Sequence, residues 1–164
     1  MNKLDSKFKE EVAAQPGGEN IMRCFQCGAC STCCPVREVA DKYNPRKIIQ
    51  MILLGMRDKV LSSDFIWLCS ICNNCVERCP QDVRFADVMN VVRNIAVKEG
   101  HIHPAYATRV EAIHNQGVLY QITDRENQRR HDLGLPPRAT KYDDVSQIID
   151  LTGLLELAKK DKEE

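Results

Sequence analysis

Eight of this chain's nine cysteines fall into one motif written twice. The run C-x2-C-x2-C-x3-C-P occupies Cys24, Cys27, Cys30, Cys34 and Pro35, then Cys69, Cys72, Cys75, Cys79 and Pro80, with every position displaced by 45 residues. Nothing else in the sequence restricts the fold so tightly, because eight soft thiolate ligands have to converge on shared centres. In such a run the first three cysteines wrap one [4Fe-4S] cubane while the fourth points away from it, toward a second. The repeat therefore predicts two clusters with exchanged fourth ligands, an arrangement that closes a local pseudo-twofold unit. Cluster I is assigned to Cys24, Cys27, Cys30 and Cys79, and cluster II to Cys69, Cys72, Cys75 and Cys34. Electron transfer is the function that such a pair implies.

Other fates of cysteine fit less well. Disulfides belong to oxidising compartments, and an odd cysteine count without an export signal argues for reduced thiols. Structural zinc usually takes two ligands from each end of a loop, whereas here each end brings a triplet followed by a fourth cysteine and proline. Cys33 is the cysteine left over. It is an alternative to Cys34 as a ligand, but the repeat aligns Cys34 with Cys79, each before proline, and Cys33 with Arg78. Cys33 is therefore read as a small packing residue.

Charge narrows the class further. Lys and Arg together number 23, as do Asp and Glu, so no net field recruits nucleic acid or steers the chain to a basic partner. The longest apolar stretch, Ile48 to Met56, is interrupted by Gln50 and falls far short of a membrane span, and no apolar leader precedes a cleavage site. A soluble, cytoplasmic protein with no membrane span is expected.

A 45-residue repeat in 164 residues suits one cluster domain with extensions, in which the cofactors supply part of the core. The expected division is an N-terminal arm over 1–19, a two-cluster domain over 20–100, and a helical C-terminal extension over 101–164 for subunit packing. Asp5 or Ser6 is placed to cap a helix over 5–14 that carries Phe8 and Val12 and stops at Pro16-Gly17-Gly18; a frayed arm is the competing reading. Asn44 as N-cap and Pro45 at the first position predict a helix through Ile48, Ile49, Met51, Ile52 and Leu53 to Gly55. Ser62 or Ser63 starts a short helix bringing Phe65, Ile66 and Trp67 to Cys69, with Trp67 either shielding a cluster edge or packing in the core. Phe85, Val88, Val92, Ile95 and Ala96 keep helical spacing as far as Gly100.

Further on, helices are expected from Pro104 to about Gly117, over 125–132, and from Asp143 into a charged tail over 159–164. No alternating strand pattern accompanies either motif. An all-α fold, an α-helical ferredoxin-like domain with a helical arm and extension, is therefore expected. Arg23, Arg37, Arg78 and Arg84 flank the cysteine runs, where guanidinium groups would favour the reduced, more anionic form; at least half of them are expected to be ordinary solvated side chains. His101, His103, His114 and His131 have no ligand or catalytic spacing and are read as structural.

The segments Cys24-Phe25-Gln26-Cys27-Gly28-Ala29-Cys30-Ser31-Thr32-Cys33-Cys34-Pro35 and Cys69-Ser70-Ile71-Cys72-Asn73-Asn74-Cys75-Val76-Glu77-Arg78-Cys79-Pro80, with Asn44-Pro45-Arg46 between them, resemble the C subunit of heterodisulfide reductase. The resemblance covers about residues 20–155, and its cysteine motifs are its specific part. It implies a helical ferredoxin fold and a place in a hetero-oligomeric complex of the kind found in methanogenesis. There an HdrA-like flavoprotein would supply electrons, and an HdrB-like cysteine-rich subunit would use them to reduce the CoM-S-S-CoB heterodisulfide. The chain itself would be a non-catalytic electron-transfer subunit, since it shows no CCG-type motif, nucleotide loop or acid/base constellation. Cys33 departs from what two clusters require.

Three alternatives belong to other classes. An iron–sulfur subunit of another anaerobic oxidoreductase, of fumarate reductase-like, glycolate oxidase-like or sulfur-metabolism type, shares such motifs, although the first should add a plant-type [2Fe-2S] set. A stand-alone ferredoxin is usually shorter and acidic. A structural protein would need clusters that do not change redox state.

Overall fold

The computed structural model describes residues 4–120, 122–139 and 141–159; the end of the charged tail, 160–164, lies outside them. The chain divides into two compact units, Met1–His101 and Ile102–Glu164. The first contains α1 (Phe8–Ala13), α2 (Ala29–Thr32), α3 (Pro35–Val39), α4 (Pro45–Leu53), α5 (Arg57–Leu61), α6 (Asn74–Glu77) and α7 (Phe85–Lys98), with 3₁₀ turns at Ile21–Arg23 and Asp64–Leu68. The second contains α8 (Pro104–Gln116), α9 (Asp124–Asp132), α10 (Asp143–Thr152) and α11 (Leu154–Lys159). The described residues form no strand, and the fold is all-α.

The cysteine repeat is also a repeat of backbone. A 3₁₀ turn leads into each motif, and α2 and α6 occupy positions displaced by the same 45 residues as the cysteines. Between and around them a single apolar core forms from Phe8, Val12, Ile21, Ile48, Ile52, Ile66, Phe85, Val88 and Met89, with the cysteines packed at its margin. The cofactor region is thus built onto the core rather than suspended in a loop.

α1 shows why a helix too short to persist alone is ordered here. Phe8 and Val12 are both fully buried. Asp5 Oδ1 accepts the Lys7 amide at 2.9 Å, and Asp5 N donates to Gly55 O at 2.8 Å. Gly55 takes φ +73°, and a Cβ there would stand 2.1 Å from Asp5 O, so the approach needs glycine. Arg57 completes the attachment. It lies 5.2 Å from the Phe8 ring centroid and binds Asp5 (3.4 Å), Glu11 and Glu99, tying α1, α5 and the end of α7 together.

α4 begins as its sequence indicates. Asn44 Oδ1 accepts the Lys47 amide at 3.2 Å, Pro45 stands at the first position, and Ile48, Ile49 and Ile52 face the core. α5 has no counterpart among the sequence expectations, because no capping side chain marks it; its buried Val60 and Leu61 hold it in place. The turn leading to Cys69 is 3₁₀, with no side-chain cap from Ser63. In the second unit, Thr123 and Glu126 form a capping box at the start of α9, and His103 Nδ1 accepts the Ala105 amide at 3.2 Å to start α8. The run from Asp143 is two helices rather than one, because Gly153 at φ 66° ends α10.

Candidate metal centre

The two C-x2-C-x2-C loops have the same handedness residue by residue. Gln26 (φ 64°) and Gly28 (φ 87°) flank Cys27; Ile71 (φ 53°) and Asn73 (φ 62°) flank Cys72. Ile71 is β-branched, and such residues enter this region only under constraint, at about 1–3 kcal/mol. Backbone turned this way directs N–H groups to one concave side, the arrangement that receives an anionic centre. At the tip of each loop the middle cysteine, Cys27 or Cys72, is exposed.

Around the first loop, Cys24, Cys27, Cys30, Cys75 and Cys79 line one small hollow, together with Gly28, Ile49, Val83 and Phe85. Cys79 therefore lies with the cysteines of the other motif. Donors stand ready at these sulfurs. Gln26 Nε2 lies 3.5 Å from Cys24 Sγ, the Val83 amide lies 3.3 Å from Cys79 Sγ, and the Ala86 amide, in the first turn of α7, donates to Cys75. Burial raises the Tyr43 hydroxyl, and the thiols of Cys69, Cys34 and Cys75, which pack against the same core, add to the effect.

Burial decides what these sulfurs can hold. It pushes Cys30 up to about 11 and Cys75 up to about 12, and raises Cys24 as well. Thiolates so placed persist only where a cation neutralises them, so loading metal here must release protons. Soft ligands in two sets, partly shielded from water and faced by N–H donors, fit iron–sulfur clusters. When bound, such clusters supply one-electron carrying capacity; the residues around them set its energy and access.

The flanking structure fixes the loops in place. Ser31, next to Cys30, is buried; its hydroxyl donates to Asn44 Oδ1 at 2.9 Å and accepts the Arg46 amide at 2.9 Å. Asn44 thus caps α4 and anchors the first motif at once. Arg93 does the equivalent for the second: Nε donates to Ile66 O at 2.8 Å, Nη2 to Cys69 O at 2.9 Å, and the guanidinium lies 5.9 Å from the Trp67 ring centroid. Neither Ser31, Arg93 nor Tyr43 stands out in the sequence, since each acts through neighbours far along the chain.

The remaining sequence candidates divide. Cys33 is half-buried against the core, its Sγ 3.7 Å from Cys30 O; burial pushes its thiol up, with the Arg78 charge opposing. Arg37 Nη1 donates to Ser31 O at 3.3 Å, whereas Arg84 turns to Asp87 at 2.6 Å and Arg23 is exposed. Trp67 is half-buried. His114 pairs with Asp150 at 2.9 Å within the second unit, a structural contact between α8 and α10.

Residues 19–83 match the family of 4Fe-4S dicluster domains. Over 161 residues the chain is 33% identical to the C subunit of the H(2):CoB-CoM heterodisulfide,ferredoxin reductase of Methanothermobacter thermautotrophicus, spanning 94% of this chain and 86% of that one. It is 34% identical over 147 residues to the second C-type iron-sulfur subunit of the CoB--CoM heterodisulfide reductase of Methanocaldococcus jannaschii, spanning 85% of this chain and 77% of the relative. A protein of Archaeoglobus profundus, described as like the heterodisulfide reductase C subunit, is 31% identical over 152 residues, 90% of this chain and 81% of its own length. The alternatives among other oxidoreductases and free ferredoxins are not favoured by these likenesses. Two [4Fe-4S] clusters, an electron-transfer role and membership of a hetero-oligomeric oxidoreductase complex follow. The chain belongs to the family of heterodisulfide reductase C subunits.

Proposed function

We propose that this chain relays single electrons from an HdrA-like flavoprotein to an HdrB-like subunit that reduces the CoM-S-S-CoB heterodisulfide. Cys24, Cys27, Cys30 and Cys79 hold one cluster, and Cys69, Cys72, Cys75 and Cys34 the other. The observation that supports the ligand sets is the hollow in which Cys79 and Cys75 of the second motif join the first motif's triplet, Cys79 being the one of the two that the repeat leaves outside its own triplet. Each triplet exposes its middle cysteine, with an exposed apolar residue within two positions of it in the chain, Phe25 (59% exposed) before Cys27 and Ile71 (46%) before Cys72. Two such edges suit a relay with one donor and one acceptor, since electrons need close approach and exclusion of water at each end.

Residues 20–100 carry the clusters in this reading, 1–19 brace them, and 101–164 serve subunit packing. Exposed Ile148, Leu151 and Leu154 in the second unit support the last assignment. Among the described residues no helix is long and apolar enough to cross a membrane. Nine unpaired cysteines accord with a reducing, cytoplasmic location.

Anaerobically purified protein should hold about eight iron and eight acid-labile sulfides per chain. Cys79→Ser should then damage the cluster of the first motif although it lies in the second. Retention of that cluster with loss of the other, resolved by EPR, would refute the exchanged ligands.

A further inference from the structure

Among the described residues, only two buried side-chain polar atoms have no hydrogen-bond partner: Gln116 Oε1 and Tyr43 Oη. An unpaired buried hydroxyl costs about 1–3 kcal/mol, so an isolated example asks what it is there to meet. Tyr43 is 1% exposed, and its ring is held by Phe85, at 6.5 Å between centroids and 56° between planes. Its amide donates to Ala40 O at 2.9 Å, and the next residue is Asn44, locked by Ser31 and the start of α4. The hydroxyl is therefore aimed by the fold and has little freedom to turn elsewhere.

Its surroundings name the partner. Tyr43 and Cys75 share one buried cluster against which Cys34 and Cys69 pack, these three are the sulfurs that act on the hydroxyl, Cys69 foremost, and no protein group accepts its O–H in good geometry. All three cysteines belong to one ligand set, and they come from both motifs. The hydroxyl thus sits where the exchanged fourth ligand, Cys34, meets the second triplet. The residue 45 positions on is Val88, buried and without a donor, and the hollow around Cys24, Cys27, Cys30 and Cys79 has no phenol in its lining.

We infer that Tyr43 donates its O–H to a sulfur of the cluster held by Cys69, Cys72, Cys75 and Cys34, and that this bond makes that cluster easier to reduce. A donor to sulfur is worth more when the acceptor carries more negative charge, so it stabilises the reduced state over the oxidised one. Only one cluster has this donor. Tyr43 is thereby a positioning residue that sets the potentials of two otherwise similar sites apart and biases the direction in which an electron rests. The inference depends on the ligand sets proposed above.

The test is an EPR-monitored redox titration of the full-length holoprotein, wild type against Tyr43→Phe, which keeps the ring and removes only the hydroxyl. One cluster should become harder to reduce by about threefold to tenfold in its equilibrium constant, or about 28–59 mV for a one-electron couple. Iron content and the other midpoint should stay as in wild type, and the shifted signal should be the one lost in Cys72→Ser. Unchanged midpoints in fully loaded Tyr43→Phe, or a shift of the other cluster, would overturn the role of Tyr43. If Tyr43→Phe loads poorly, 3-fluorotyrosine at position 43 decides, because its stronger O–H donor should raise the same midpoint and an unmoved midpoint would count against us. Wild-type protein with fewer than two clusters would instead overturn the two-cluster ligand reading, leaving the two failures distinct.

Discussion

Arg57 illustrates how much one side chain carries here. Its side chain is 21% exposed, and its guanidinium lies over Phe8 and meets carboxylates from Asp5, Glu11 and Glu99, so it neutralises a cluster of acids that would otherwise repel. Partial exposure screens each pair, and the value lies in the convergence of three of them plus the packing of the side-chain stem. Arg57→Met keeps the stem and removes the charge. It should destabilise the unit by about 1–2 kcal/mol in urea unfolding of the holoprotein, with the difference from wild type changing as salt screens the acids. A variant as stable as wild type at every salt concentration would show that the carboxylates are already satisfied by water.

Among the elements, α4 connects sequence signal to site most directly. Its N-cap, Asn44, also receives the Ser31 hydroxyl, so one amide group serves both the helix and the loop that bears Cys30. Asn44→Ala should remove the cap and leave Ser31 without its buried acceptor, costing about 1–3 kcal/mol. Hydrogen exchange reads this locally: the Lys47 and Ile48 amides should lose protection in the holoprotein, whereas those in α7 should not. Equal loss in both helices would mean that Asn44 supports the whole core rather than the start of α4. α1 makes the complementary point, since its six residues have no cap bond on their N-cap residue and are ordered by the burial of Phe8 and Val12.

For the whole molecule, the two compact units pose different questions. The first builds a core on which the cysteine loops rest; the second leaves Leu119, Tyr120, Leu133, Ile148 and Leu151 exposed. Apolar side chains left open to this extent mark a chain made for assembly. If the proposed relay is right, native isolation should recover it bound to a flavoprotein and a second cysteine-rich subunit, identified by mass spectrometry. A purely monomeric pool would count against the relay.

Several features were legible from residues alone: the all-α class, α4 from Asn44 and Pro45, α7 up to Gly100, and α8 from Pro104 to Gly117. These signals are local, because a cap, a proline or a glycine acts on its own turn. α5, the break at Gly153, the Arg57 hub and the clasp of Arg93 on Cys69 were not, since each rests on partners tens of residues away or on a backbone angle no pattern announces. By itself the sequence determined the chemistry: eight thiols at a doubled spacing specify soft-metal clusters and the family that carries them, because ligand type and spacing are covalent properties. Only the tertiary structure decided the environment of each sulfur, from the exposed tips at Cys27 and Cys72 to the buried hydroxyl of Tyr43, because burial and hydrogen-bond supply arise when distant segments pack.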